Sequence, residues 1–393
     1  MTIYHFLFRN INKHIMRKVL YLIITMLYLS CGKSAFVNSN RLELASSDSV
    51  TIKNAPIKKK EMSVGDIITN HPLSSQIVEI DGKEKYLLLD LDNIYVFDWN
   101  SGALEDSISL SKTGRLRNYS GFNYISKDSI LVYNYSTKSL FLVNQNGNII
   151  NHFVSPGIDK KKSIYVDVEA LNSTRPLYIN KKIILSGSIF GNLQETPNHE
   201  ERASISCSFE NKKRNAFPFP SIYYNANWGG VYMNKVFHCK EDTSIIYSFP
   251  VEHNVYKCNS DFSHCDTLYM GSRYITGISE CTYSPLQAII DKELRIKYYI
   301  SQPSYGPVLY DENKKCYIRI AYHPINNWEG GEYFFQPFSI IVLDKEKSLL
   351  MESTIIKDYK VCDLDNLHIC NDGLAIAVMS NDENKLSFFC YKY

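Results

Sequence analysis

Short β-rich runs, each followed by a tight-turn signal, return along this sequence from about residue 65 to its last residue. KYLLLDLDNIYVFDWNSGALEDSISL (85–110), DSILVYNYSTKSLFLVNQNGNIINHF (128–153) and FSIIVLDKEKSLLMESTII (338–356) each read as strand, turn, strand, then polar punctuation. Asn100-Ser101-Gly102 and Asn146-Gly147-Asn148 supply residues that tolerate positive φ, as tight hairpins require. The tetrapeptide Asp-Leu-Asp-Asn occurs twice, at 90–93 and 363–366, each time before an apolar run. Tyrosine, at 29 copies, suits half-buried pleated surface. Strands in such number do not fit one open sheet. Radial repetition removes the exposed edges, so the pattern predicts an all-β chain folded as a β-propeller. The body divides into six blades of ~55 residues or seven of ~47, against the usual ~40–50; with insertions, six is the expected number and seven the alternative. Lys385–Tyr391 reads as a strand that closes the ring, paired with a first strand near Gln76–Ile80.

One segment breaks the β rhythm. Ser284 to Ile300 (SPLQAIIDKELRIKYYI) opens with a capping Ser284, Pro285 in the first turn and Gln287 in capping-box position. Leu286, Ile289, Ile290 and Leu294 share one face at helical spacing. The segment is expected to be a helix packed on one face of the ring; the sharper alternative is a lid over a central pocket.

The N-terminus is of another kind. Val19 to Leu29 is an uncharged apolar run, too short for a ~30 Å hydrocarbon core, preceded by Arg17-Lys18 and followed by Ser30-Cys31. This is a secretory signal over 1–30, with Met16 a better start than Met1. LYLSC resembles the lipobox of bacterial lipoproteins, so Cys31 is expected to be the lipidated, palmitate-bearing residue and the membrane contact. Residues 31–62, with Lys58-Lys59-Lys60, read as a polar tether, and 63–393 as the propeller. The chain is then expected in the cell envelope, anchored to the outer membrane, on either face. Formal net charge is +2, and the leader carries Arg9, Lys13, Arg17 and Lys18 with no acid. The near-neutral body argues against a nucleic-acid partner.

Order and wording of these units resemble a known family. After the lipoprotein signal come YLLLD…IYVFDWNSGALEDSISL, then Gly121-Phe122 before KDSILVY and LVNQNGNII, then a Tyr-rich helix followed by YGPVLYDENKKCYIRIAYHP. The chain resembles the Bacteroidota lipoproteins grouped as domain of unknown function 4221. That resemblance implies a six-bladed propeller of the TolB-like and NHL-like type and transfers no activity.

Chemistry is sparse. P-loop, G-x-S-x-G and H-E-x-x-H patterns are missing, and no catalytic residue, metal or cofactor is expected. His253, Cys258, His264 and Cys265 cluster, but adjacent His264 and Cys265 would face opposite sides of a strand. Of ten cysteines, nine lie beyond Cys31 and no C-x-x-C occurs; Cys258 and Cys265 could bridge a turn. Two tryptophans sit beside paired glycines, Trp228-Gly229-Gly230 and Trp328 in Asn327-Trp328-Glu329-Gly330-Gly331. They are read either as displayed contact residues or as plugs between blades. In YIRIAYH, Arg319 shares a strand face with Tyr317 and Ala321, opposite Ile318 and Ile320, and His323 follows on that face. A buried Arg319 must be paired; a channel-lining one would take an anionic ligand, helped by His323. The expected function is a non-catalytic binding or scaffold module for a glycan, peptide or partner protein. The alternatives are a glycan-acting hydrolase or lyase with its site in the channel, and an envelope sensor or assembly subunit.

Overall fold

The computed structural model describes residues 52, 55–65, 68–113, 119–154, 158–159, 164–188, 202–210, 214–224, 226–326, 328, 335–346, 348–357, 361–380 and 382–393. The signal segment and Cys31 lie outside the described residues.

Among the described residues six antiparallel sheets of four or five strands follow one another along the chain, with a two-stranded ribbon, Ile158–Asp159 paired with Ile164–Tyr165, between the second and the third. Blade 1 is Ser74–Ile80, Lys83–Asp90, Asn93–Asp98 and Leu104–Ser109. Blade 2 is Tyr119–Ser126, Ser129–Asn134, Ser139–Val143 and Ile149–Val154. Blade 3 has a split first strand, Asp167–Val168 and Leu177–Ile179, both paired with Lys182–Ser188, and continues through Arg202–Cys207 and Asn215–Pro218. Blade 4 is Phe237–Glu241, Ser244–Ser248, Asn254–Asn259 and Cys265–Tyr269. Blade 5 is Ser304–Asp311, Cys316–Tyr322, Phe338–Asp344 and Leu349–Glu352. Blade 6 is Cys362–Cys370, Gly373–Val378 and Lys385–Tyr391, completed by Lys58–Ser63. The first strands of neighbouring blades touch one another, so they line the axis.

Residue alternation explains the packing. Six hydrophobic clusters each fill one gap between adjacent blades. In Lys83–Asp90, Tyr86 and Leu88 face blade 6, while Leu87 and Leu89 face blade 2. Both faces of a central strand are covered, and such strands read as unbroken apolar runs. Each fully buried leucine contributes ~1.5–3 kcal/mol, so the six gaps supply the main stabilisation.

Ring closure differs from the sequence expectation. Lys385–Tyr391 pairs antiparallel with Lys58–Ser63, from Lys58 opposite Cys390 to Ser63 opposite Lys385. Gln76–Ile80 is instead in the axial strand of blade 1. The segment read as tether therefore supplies the outer strand of blade 6, and Met62 is buried in the gap between blades 6 and 1. The alternation Lys60, Met62, Val64 signals this strand, but the lysines at 58–60 mask it. Lys58 and Lys60 lie within 3.0 and 3.7 Å of Asp372.

The helical segment divides into α1 (Pro285–Ile290) and α2 (Lys292–Ser301). The capping box forms as expected: Ser284 Oγ accepts from Gln287 N, and Gln287 Oε1 accepts from Ser284 N. Asp291 interrupts the helix at φ −97°, ψ 98° and caps α2 by accepting from Leu294 N at 3.0 Å. The break resets the helical phase. Leu286 and Ile290 are consequently exposed, and Ile296, Tyr298 and Ile300 are the buried residues of α2.

Candidate functional site

The split strand of blade 3 shapes the channel. Between its two halves the chain leaves the sheet and makes a 3-10 turn at Asn172–Thr174. This turn touches the axial strands of blades 1, 4 and 6 as well as blade 3. Blade 1 stands opposite blade 4, and blade 3 opposite blade 6, so the turn lies on the axis. Asn172 accepts from Ser75 N at 2.5 Å and donates to Asn366 Oδ1 at 2.5 Å. Asn366 also accepts from Ser75 Oγ and donates to Asp363 Oδ2 at 2.9 Å. A buried polar network thus fills the middle of the channel and leaves a cavity at either end.

The first mouth, where the axial strands begin, holds a cavity of about 270 Å³. Blade 4 brings Lys235 from just before Phe237–Glu241, and blade 6 brings Asp363 and Asp365. These acids project because the axial strand bulges between Asp363 and Leu367. Helix α2 contributes Tyr299, stacked on Tyr232 with ring centroids 5.0 Å apart. Tyr322, Phe335 and Gln336 complete the wall. The buried Gln336 amide donates to Ile300 O and Gln302 O and so docks the end of α2. The electrostatics are mixed. Asp365, opposed by burial, holds the Lys235 ammonium above its ordinary pKa. Burial raises the carboxyls of Asp363 and Glu169, the latter partly offset by Lys235. Burial pushes the Tyr299 phenol up to about 12.

Buried polar side chains adjoin this mouth and are engaged there: Ser188 bonds the Glu169 carboxyl and Ser304 the Tyr299 phenol, each lowering the pKa of its partner, and Asn234 directly precedes Lys235.

The second mouth, where the axial strands end, holds about 400 Å³. Its charged centre is Arg175, with His238, His368, Asn123, Gln76 and Tyr178 around it.

The residues singled out from sequence fall elsewhere. Arg319 is on the predicted face, toward blade 4 with Tyr317 and Ala321, while Ile318 and Ile320 face blade 6. It is fully buried, and it does not line the channel. Nε donates to Ser248 Oγ, Nη1 to His253 O and Met270 O, and Nη2 to Phe249 O and Glu252 O. Its carbon Cζ sits 4.0 Å from the Tyr305 ring centroid. All five N–H groups of a guanidinium are thereby engaged, which corrects the anion-binding expectation. His323 is also buried, 2.9 Å from Ser339 Oγ, whose hydroxyl donates to Glu352. Burial draws its pKa down to about 4. It too supports packing.

Trp228 is a plug between blades 3 and 4. It is 5% exposed, and Nε1 donates to Ile222 O at 3.1 Å. Gly229 has φ +67°, and a Cβ there would stand 2.4 Å from the Tyr298 ring, so glycine lets α2 seat against the ring of blades. Trp328 is half-buried, and the paired glycines beside it lie outside the described residues. Cys258 and Cys265 face each other across the last hairpin of blade 4 and form a disulfide. His253 Nδ1 lies 2.7 Å from Tyr305 OH, and His264 pairs with Asp266, so the four-residue cluster does not converge. Of the two Asp-Leu-Asp-Asn copies, the first is a hairpin turn and the second the bulge that shapes the first mouth. Sequence reasoning missed Lys235, Glu169 and Arg175; the one usable signal was that repeated tetrapeptide.

Comparisons with known proteins agree with this architecture. A protein of the same family from Bacteroides vulgatus ATCC 8482 superimposes with a TM-score of 0.69 at 18% identity, covering 86% of this chain and 97% of its own. A protein of Bacteroides fragilis NCTC 9343 whose name proposes export gives 0.54 at 12% identity, covering 87% and 98%. These likenesses establish the fold. No curated protein matches the sequence. Residues 51–354 match the family described as domain of unknown function (DUF4221), and with more than half its length inside that match the chain belongs to the DUF4221 family of six-bladed propellers.

Proposed function

We propose that this protein is a lipid-anchored, non-catalytic binding module of the cell envelope that seats a polar ligand, foremost a glycan, in the first mouth of its channel. The observation that carries this reading is the mixed lining of that cavity, the Lys235 ammonium and the Asp363 and Asp365 carboxyls beside the stacked rings of Tyr232 and Tyr299. Sugar hydroxyls both donate and accept, which suits carboxylates, an ammonium and phenols at close quarters. Tyr232 and Tyr299 add apolar ring area with a polar tip. The envelope setting rests on the apolar run Val19–Leu29, on Cys31 as lipidation residue, and on the export proposed for the Bacteroides fragilis relative.

A glycan and peptide array probed with the wild-type chain and with Lys235→Ala and Tyr299→Ala tests the reading. A signal that falls at least tenfold in both variants, with melting unchanged, is expected; equal signals would reject this mouth as the seat. Metabolic palmitate labelling, lost in Cys31→Ser, tests the anchor. One observation favours a glycan hydrolase or lyase: the raised carboxyls of Glu169 and Asp363, since a protonated carboxyl can serve as a general acid. Release of shorter glycans from array ligands, abolished by Glu169→Gln, would move the assignment to that class.

A further inference from the structure

The second mouth presents a different chemistry. Arg175 follows the axial turn directly and precedes Pro176, which favours its extended backbone at φ −56°, ψ 145°. That geometry carries the side chain from the axial turn into the second mouth. There Nε donates to Asn172 O at 3.1 Å and Nη2 to Ser75 O at 3.3 Å, both neutral carbonyls. Nη1 has no hydrogen-bond partner, and no carboxylate lies within ion-pair distance of the guanidinium among the described residues.

The walls do not neutralise it either. His238 is buried, with Nδ1 2.6 Å from Ser186 Oγ and Nε2 2.8 Å from Arg175 O. His368 is buried 3.1 Å from Ser75 Oγ. Burial holds both imidazoles far below their ordinary pKa, hence neutral near pH 7. Asn123 donates to Pro176 O, and Gln76 exchanges hydrogen bonds with the Tyr124 backbone. Glu312 lines the outer rim, yet no carboxylate acts on the Arg175 guanidinium: burial draws it down to about 10, opposed by the nearby Cys239 thiol. A buried cation without a countercharge is costly. Arg319, fully buried, answers that cost with five acceptors; Arg175, half-buried where it meets the cavity, has two and turns the rest of its fork to a space of about 400 Å³.

We propose that the second mouth is an anion site in which Arg175 receives an oxyanion group (carboxylate, sulfate or phosphate) at the tip of a ligand. The planar fork meets two oxygens of such a group at once. The site stands apart from the first mouth, behind the axial turn, and does not depend on the ligand assigned there.

The test uses the full chain and three probes, sodium phosphate, sulfate and acetate, titrated calorimetrically and by melting temperature against sodium chloride at equal ionic strength. Saturable binding and a rise in melting temperature beyond the chloride control are expected for at least one probe. Arg175→Gln should weaken that binding at least tenfold, and Arg175→Lys less, because it keeps the charge and loses the fork. Gln76→Glu, which adds a carboxylate to the lining of this mouth and gives up the 3.3 Å bond from Nε2 to Tyr124 O, should stay folded with a slightly lower melting temperature and bind the probe several-fold more weakly. If Arg175→Gln fails to fold, the lysine and Gln76→Glu variants decide. Absence of saturable binding in the wild type, or equal binding in wild type and Gln76→Glu, would overturn the proposal.

Discussion

Arg319 offers the sharpest quantitative test of how this ring is held together. Its guanidinium pins strand Cys316–Tyr322 of blade 5 to blade 4 and its connections, through the carbonyls of Phe249, Glu252, His253 and Met270 and the hydroxyl of Ser248. Arg319→Ala removes every donor at once. A buried acceptor left without its donor costs ~1–3 kcal/mol. Taking the lower end, because carbonyls tolerate under-satisfaction better than N–H groups, five acceptors give a loss of ~5 kcal/mol. That is a third or more of the ~5–15 kcal/mol that holds a typical protein folded. Arg319→Lys keeps three donors and the charge, so at most three acceptors stay satisfied and ~2 kcal/mol is lost. Urea denaturation followed by tryptophan fluorescence reads both numbers from the midpoint at constant slope. If Arg319→Ala loses less than ~1 kcal/mol, or if lysine is as damaging as alanine, the accounting by satisfied acceptors is wrong.

Three further outcomes are expected. Cys258→Ser with Cys265→Ser opens a disulfide spanning a sequence separation of 7, and loop entropy puts the loss at ~2.5 kcal/mol, seen as a lower urea midpoint that reducing agent reproduces in the wild type. Acid should loosen the fold early. Burial draws His238 and His323 to about 4 and His368 to about 3, whereas unfolded histidine titrates near ~6.5. The unfolded chain therefore holds more protons below that value, and stability falls as pH drops from ~6.5 toward ~4, by up to ~1.4 kcal/mol per unit for each histidine. The raised carboxyls of Glu169, Asp363 and Glu352 act in the opposite sense. His368→Gln should flatten the melting profile between pH 6.5 and 4.5, and an unchanged slope would contradict its buried neutral state. Finally, a chain beginning at Val64 lacks the closing strand and should lose more than the ~2 kcal/mol of the Met62 side chain, while a chain beginning at Thr51 should melt as the full chain does.

Legibility from sequence followed the physics of each element. Strands with two covered faces announce themselves through runs such as YLLL and SIIV, and hairpins through their glycines and asparagines. Hence the propeller and its six blades are readable. Lys58–Ser63 was not, because an outer strand needs only one apolar side, and Met62 is its one buried apolar residue. The α1–α2 break was hidden too: Asp291 is as acceptable inside a helix pattern as at a cap. The channel residues were the hardest. Glu169, Arg175 and Lys235 stand in irregular backbone around the split strand of blade 3 and the approach to blade 4, where periodicity carries no information. Conversely Arg319 drew notice because it is a charge in an apolar strand, and that very setting obliges it to be fully engaged by its neighbours.

The axial turn at Asn172–Thr174 carries a consequence for traffic. With this network occupying the middle of the ring, the two cavities are cups set back to back. An acid-rich cup and a cationic cup, separated by a wall of amides and hydroxyls, can be filled at the same time by unrelated molecules. Asn172 lines one cup and bonds Asn366, which bonds Asp363 of the other, so a shift of that wall on one side would be felt on the other.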